Sequence, residues 1–137
     1  MVVKRVPLRE EPISGADTVE VYDEYARRYM LPEYRYFVRK ILRRGIRSGR
    51  VLDIGTGSGR LAIELAKARG VNFEITGLDI SPEMLKKASE NAREAGVEDR
   101  VKFVPGSAAE LPFPDRHFDL VISYASLHHW EKPVAVL

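Results

Sequence analysis

Seven consecutive residues, Asp53-Ile54-Gly55-Thr56-Gly57-Ser58-Gly59, constrain this chain more than any other stretch. A short apolar run, Val51-Leu52-Asp53-Ile54, leads straight into three glycines at alternate positions. Apolar residues then recur at helical spacing, at Leu61, Ala62, Leu65 and Ala66. A strand that turns through glycines into a helix opens a unit of a parallel α/β sheet. Glycine lets a ligand come close to the backbone, and ligands of open parallel sheets sit at the carboxyl ends of the strands, where this loop must lie.

The rest of the pattern agrees. Residues 73–79 are rich in strand formers, and Ser81-Pro82 opens a helix as cap and first-turn proline. That helix carries Met84, Leu85, Ala88 and Ala92 inward and stops at Gly96, with Glu83 and Lys87 placed to pair on its wet side. Residues 101–104 form a third strand. A loop with Pro105, Pro112 and Pro114 leads to a fourth at 118–123. The continuous apolar character of 51–54 and 120–122 predicts central strands covered on both faces. Upstream, residues 1–13 contain Pro7 and Pro12 and read as an arm. Residues 17–30 have a helical pattern with Tyr22, Tyr25 and Tyr29 on one face, and Pro32 ends that helix or opens the next. In 33–44, Tyr34, Phe37, Val38, Ile41 and Leu42 make an apolar face opposite Arg35, Arg39 and Arg43, and Gly45 is the stop.

A chain of 137 residues is one domain at most. It has no cysteine, which excludes disulfides, thiolate zinc sites and cysteine catalysis. No apolar run reaches a membrane span and no signal peptide opens the chain, so a cytoplasmic protein without membrane partners is expected. The net charge is only +2, yet residues 27–50 hold nine cations against Glu33 alone. Such a face is either solvated or attracts a polyanion.

Chemistry concentrates at the glycine loop. A phosphate loop of the G-x-x-x-x-G-K-[ST] kind needs a lysine that is absent, and a G-x-G-x-x-G dinucleotide loop fails because Arg60 holds its sixth position. The glycines run G-x-G-x-G, with Asp53 two residues ahead. A pyrophosphate would avoid that carboxylate and an amino group would seek it. Asp79 ends the second strand, where an acid can accept hydrogen bonds from ribose hydroxyls. The two acids point to a ligand with a cationic, amino-acid-like end and a nucleoside.

Val51–Gly59 resembles motif I of the class I S-adenosylmethionine-dependent methyltransferases. Leu78-Asp79-Ile80-Ser81-Pro82-Glu83-Met84-Leu85 is similar to that family's second motif. Glu110-Leu111-Pro112-Phe113-Pro114-Asp115, Phe118-Asp119-Leu120-Val121-Ile122-Ser123 and Ser126-Leu127-His128-His129-Trp130 resemble the segments that follow. The subgroup it looks like is the small-molecule type that includes the ubiquinone and menaquinone biosynthesis enzymes. The resemblance implies an α/β, Rossmann-like parallel sheet with N-terminal helices, S-adenosylmethionine as cofactor and a small-molecule acceptor. It implies that Asp53 positions the methionine end and that Gly55, Thr56, Gly57 and Gly59 give its backbone path. By the same likeness Asp79 holds the ribose, Ile80 and Met84 flank the adenine, Ser123 lies near the methionine moiety, and Tyr29 helps to close the site. Tyr22 and Tyr25 are divided between lining the site and packing.

Two departures from the family pattern matter. Where the family often has an adenine-binding acid, Gly106 is followed by Ser107-Ala108, so the serine hydroxyl or the adjacent backbone takes that role. Family domains have seven strands, and residues 14–137 carry only the first four, as the N-terminal part of such a domain. An uncovered fourth strand is expected to pair, for instance with a second copy as a homodimer. His128 is the candidate general base, against a positional role for its segment, and His117 and Trp130 are expected to pack or cap. No metal site is expected. Two alternatives remain beside a small-molecule methyltransferase: a non-catalytic cofactor-binding module, and an RNA methyltransferase using the basic helix 33–44.

Overall fold

The computed structural model describes residues 15–124. The arm at 1–13 and the segment with His128, His129 and Trp130 lie outside the described residues. The elements are α1 (Ala16–Tyr25), a π-helical turn (Ala26–Met30), α2 (Leu31–Arg43), β1 (Ser48–Ile54), α3 (Arg60–Lys67), β2 (Asn72–Asp79), α4 (Pro82–Glu94), β3 (Val101–Pro105) and β4 (Leu120–Ile122). All strand pairs are parallel, in the order β3-β2-β1-β4. Val51 is paired with Ile75 on one side and Leu120 on the other, which puts β1 at the centre.

Alternation along β1 sorts the core into two halves. Val51 packs with Phe73, Ile75 and Val101 against the helices, together with Tyr34, Val38 and Ile41 of α2 and Leu61, Ala62 and Leu65 of α3. Leu52 and Ile54 face the other way, with Leu78, Ala108 and Val121. Among the described residues no helix covers this second face. The loop between β3 and β4 does so, through Phe113 and Phe118, so the central strand β1 is covered by a helix layer and a loop, whereas β4, expected to be central, lies at the edge of the described sheet. His117 packs there, stacked on Phe113 and edge-on to Phe118.

Pro32 opens the next helix, the second of the two places its sequence position allows: it sits in the first turn of α2, directly after the wide π turn. A proline ring in a continuous α-helix would strike the carbonyl four residues back, and a wider turn ahead of it moves that carbonyl aside. The three tyrosines do not share one environment. Val19, Asp23 and Ala26 form the buried edge of this helical run, Tyr22 is turned partly inward, and Tyr25 and Tyr29 stand 56% and 59% exposed against each other. In α2 the apolar face is inward as expected, while Arg39 and Lys40 flank the exposed Tyr36 ring.

Strand β4 is shorter than the run 118–123. Asp119 is taken out of it by two contacts to Arg50: its backbone N–H donates to the Arg50 carbonyl at 2.8 Å, and its carboxylate accepts the Arg50 N–H at 2.8 Å. Lys87 does not pair with Glu83 along α4. Because α1 lies across α4, Lys87 reaches Glu20 at 3.0 Å instead.

Gly77, within β2, sets a packing limit. A Cβ there would lie 2.6 Å from both the Phe103 ring and the Thr56 hydroxyl. Gly77→Ala is therefore expected to destabilise the fold by about 1–3 kcal/mol or more, as overpacked cores do. A urea denaturation midpoint unchanged from the parent would contradict this packing.

Candidate functional site

The carboxyl ends of β1 and β2 meet at the glycine loop. The N–H groups of Gly55 and Thr56 both donate to the Leu78 carbonyl, at 2.8 and 2.9 Å, so the loop is tied to β2 as it leaves β1. Gly55, Gly57 and Gly59 all have positive φ (71°, 58° and 79°), a region that costs other residues strain and admits glycine freely. This backbone requirement explains the alternate glycines without invoking any ligand. What they leave is a tightly folded backbone path.

Asp79 is held by that path. One carboxylate oxygen accepts the Gly57 N–H at 2.9 Å and the other accepts the Ser81 N–H at 2.9 Å. Asp79 thus bridges the glycine loop and the start of α4, whose cap is the Ser81 hydroxyl accepting from the Met84 N–H at 3.2 Å. Ile80 is half-buried beside it and Met84 is fully buried below.

Asp53 is 2% exposed on the helix-facing side of β1. The Thr56 hydroxyl donates to its carboxylate at 2.9 Å. Burial pushes this carboxyl up to about 7; the Thr56 hydrogen bond draws it partly back, and the charge of Asp79 raises it further. Two carboxylates that repel each other across a glycine loop form a site for a cation.

Tyrosines surround this acid pair. Adding a Cβ to Gly57 would put it 3.0 Å from the Tyr22 hydroxyl, so Tyr22 lies directly on the loop. Burial, then the charges of Asp79, Asp53 and Asp23, push the Tyr22 phenol up to about 12, which keeps it a neutral donor. Tyr34 is also shifted upward, first by burial and then by Tyr22 and Asp53. Its ring meets Tyr124 edge-on, and Tyr124 donates to Glu33. Ser123 donates to the Ile54 carbonyl at 3.0 Å and so closes the end of β4 onto β1.

The structure brings Asp53, Gly55, Thr56, Gly57, Gly59, Asp79, Ile80 and Ser123 to one end of the sheet. Ser107 and Ala108 follow β3 nearby, where the Gly106 N–H donates to the Asp79 carbonyl at 3.1 Å. The Ser107 hydroxyl accepts the Ala109 N–H within its own turn. Tyr22, rather than the exposed Tyr29, is the tyrosine that touches the glycine loop. Three residues that sequence pattern alone does not single out, Asp23, Arg60 and Asn91, lock together beside the loop. The one signal for them is Asp23, a charged residue at an inward position between Val19 and Ala26. Arg60 stands out in the sequence only as the residue that breaks a dinucleotide pattern.

A parallel sheet with this strand order, a G-x-G-x-G loop after its central strand and an acid ending the next strand define a class I methyltransferase fold. The family model described as "Methyltransferase domain" matches residues 51–137, and the chain belongs to that family, the class I S-adenosylmethionine-dependent methyltransferases. It is 46% identical over 85 residues to 27-O-demethylrifamycin SV methyltransferase of Amycolatopsis mediterranei, covering 61% of this chain and 30% of that protein. To the ubiquinone/menaquinone biosynthesis C-methyltransferase UbiE of Psychromonas ingrahamii it is 41% identical over 78 residues, covering 56% and 31%. The chain thus spans about a third of the length of these relatives. A crystal structure from Methanococcus maripaludis, assigned as an S-adenosyl-L-methionine-dependent methyltransferase, superposes with a TM-score of 0.80 at 32% identity, over 90% of this chain and 57% of that one.

Proposed function

We propose that this chain binds S-adenosylmethionine at the glycine loop and serves methyl transfer to a small-molecule acceptor. The observation that carries the reading is the pairing of Asp79, fixed by the Gly57 and Ser81 N–H groups, with the buried Asp53 two residues before the loop. Support comes from the family and from relatives named as a 27-O-demethylrifamycin SV methyltransferase and as a ubiquinone/menaquinone biosynthesis C-methyltransferase.

The residues fit this cofactor. A carboxylate has about four lone-pair sites, so an Asp79 oxygen that holds a backbone N–H can also take a ribose hydroxyl. Asp53 and the neutral Tyr22 and Tyr34 phenols make an anionic, aromatic surround for a cationic methionine end. Ile80 flanks the adenine, supported from below by Met84, and Ser107-Ala108 lies at its edge. Ser123 keeps the end of β4 against the methionine moiety. Bound S-adenosylmethionine supplies a methyl group already activated on a sulfonium. The protein's part is to hold that end rigidly and exclude water, which brings an acceptor into line. His128 is the proposed base for an acceptor that must lose a proton.

Calorimetric titration with S-adenosylhomocysteine tests the reading. Saturable, stoichiometric binding is expected, and a folded chain that takes up none would overturn it. We read the protein as cytoplasmic. Among the described residues β4 pairs only with β1, and we propose that a second copy aligns along its other side. Sedimentation showing a monomer at all concentrations would refute that pairing.

A further inference from the structure

Helix α1 is held to the rest of the fold by charge more than by apolar burial. Among its residues of described burial Val19 is the one buried apolar residue, Ala26 is buried in the turn that follows, and Val21 and Tyr25 face solvent. Between Val19 and Ala26 lies Asp23, whose side chain is 7% exposed and takes both arms of the Arg60 guanidinium, Nε and Nη2, at 2.8 Å each. Asn91 of α4 completes the cluster. Its amide donates to Asp23 at 3.1 Å and to the Ser58 carbonyl of the glycine loop at 2.9 Å, and its oxygen accepts from Arg60 at 3.2 Å. Burial opposes the Asp23 charge, but the Arg60 guanidinium, with Lys87 nearby, outweighs it and holds the carboxyl below its ordinary range.

A buried ion pair is weak evidence for stability, because desolvation offsets its attraction; its better-attested use is to fix one arrangement among several. Here it fixes α1 against Ser58 and Arg60, the two residues that flank Gly59. The residue next to Asp23 is Tyr22, the phenol that lies on Gly57. We propose that Asp23 is a positioning residue of the cofactor site: through its fork with Arg60 it latches α1 so that Tyr22 roofs the glycine loop. The inference rests on the cofactor reading above and adds to it the part played by the N-terminal helix. Arg60 is suited to this by its planar two-point grip, which lysine cannot reproduce.

Two assays test it separately. The first is a double-mutant cycle on S-adenosylhomocysteine affinity with Asp23→Asn, Tyr22→Ala and the pair. If Asp23 acts through Tyr22, each single change weakens binding at least tenfold, and the pair is within twofold of the weaker single. Effects that multiply, or an Asp23→Asn chain within twofold of the parent, would overturn the proposal. The second is tryptic cleavage after Arg27 and Arg28, which are exposed just beyond α1. Cleavage inside a helix requires local opening, so its rate reports how firmly α1 is held. Asp23→Asn should raise that rate at least tenfold without ligand, and an unchanged rate would remove the latch. Should Asp23→Asn fail to fold, Arg60→Lys keeps the charge, loses the fork and carries the same expectations. A parent chain that binds no S-adenosylhomocysteine defeats the cofactor reading, whereas failure of the latch shows in the proteolysis, so the two failures are distinguishable.

Discussion

Asp79→Ala should weaken S-adenosylhomocysteine binding by about 100-fold or more, with the chain still folded. Two losses combine. The ribose loses a charged acceptor, and a hydrogen bond to a charged group contributes about 1.5–3 kcal/mol. In addition, the Gly57 and Ser81 N–H groups lose the carboxylate that holds both at 2.9 Å, so the loop and the start of α4 lose their common anchor. The Gly55 and Thr56 bonds to the Leu78 carbonyl remain, and they keep the loop attached to β2. Far-ultraviolet dichroism should therefore be preserved while affinity collapses. Glu98→Gln, at an exposed position away from the loop, is the control and should leave affinity unchanged. An Asp79→Ala chain that binds within threefold of the parent would remove Asp79 from the site.

The parts of this fold that the sequence displays are those where one local signal has one physical solution. The run 51–54 with three glycines behind it reads as a strand turning into a helix, and the structure has that turn. Ser81-Pro82 reads as a helix start, and that cap and proline are in place. What the sequence hides depends on the approach of distant segments. Asp23 and Arg60 are 37 positions apart and share no pattern, yet they form a tight two-point contact beside the loop. Lys87 has a good local partner in Glu83 but takes Glu20, because α1 lies over α4. Phe118 and Asp119 look like strand residues and are not, since one is needed on the loop-covered face and the other to bind the Arg50 backbone. The tyrosine spacing at 22, 25 and 29 suggests one aromatic face. The actual inward edge runs through Val19, Asp23 and Ala26 and includes a charged residue, which no hydrophobic periodicity marks.

Asp53 should make cofactor binding pH-dependent near neutrality. In the free chain, burial, with the nearby Asp79 charge, raises its carboxyl to about 7, so that at pH 6 most molecules carry it protonated. A cationic methionine end favours the carboxylate, and binding must then release that proton. Affinity for S-adenosylhomocysteine should accordingly fall about tenfold from pH 8 to pH 6, with nearly one proton released per ligand bound at pH 6. Calorimetry in buffers of different ionisation enthalpy reads both quantities. Asp53→Asn should bind more weakly at pH 8 and lose the slope. The same raised carboxyl has an opposite consequence for the ligand-free fold. A carboxyl whose folded value lies above its unfolded one, about 3.9, binds its proton more tightly when folded. Its contribution to stability is fully present below pH 4 and is lost as pH rises through 7. Ligand-free Asp53→Asn should thus exceed the parent in stability at pH 8 by on the order of 2–4 kcal/mol, because each tenfold change in proton affinity between the two states is worth about 1.4 kcal/mol. The gap should close towards pH 4. A parent chain with flat affinity between pH 6 and 8, and no stability gain in the asparagine variant, would show that Asp53 is already ionised in the free protein and that its burial does not hold the proton.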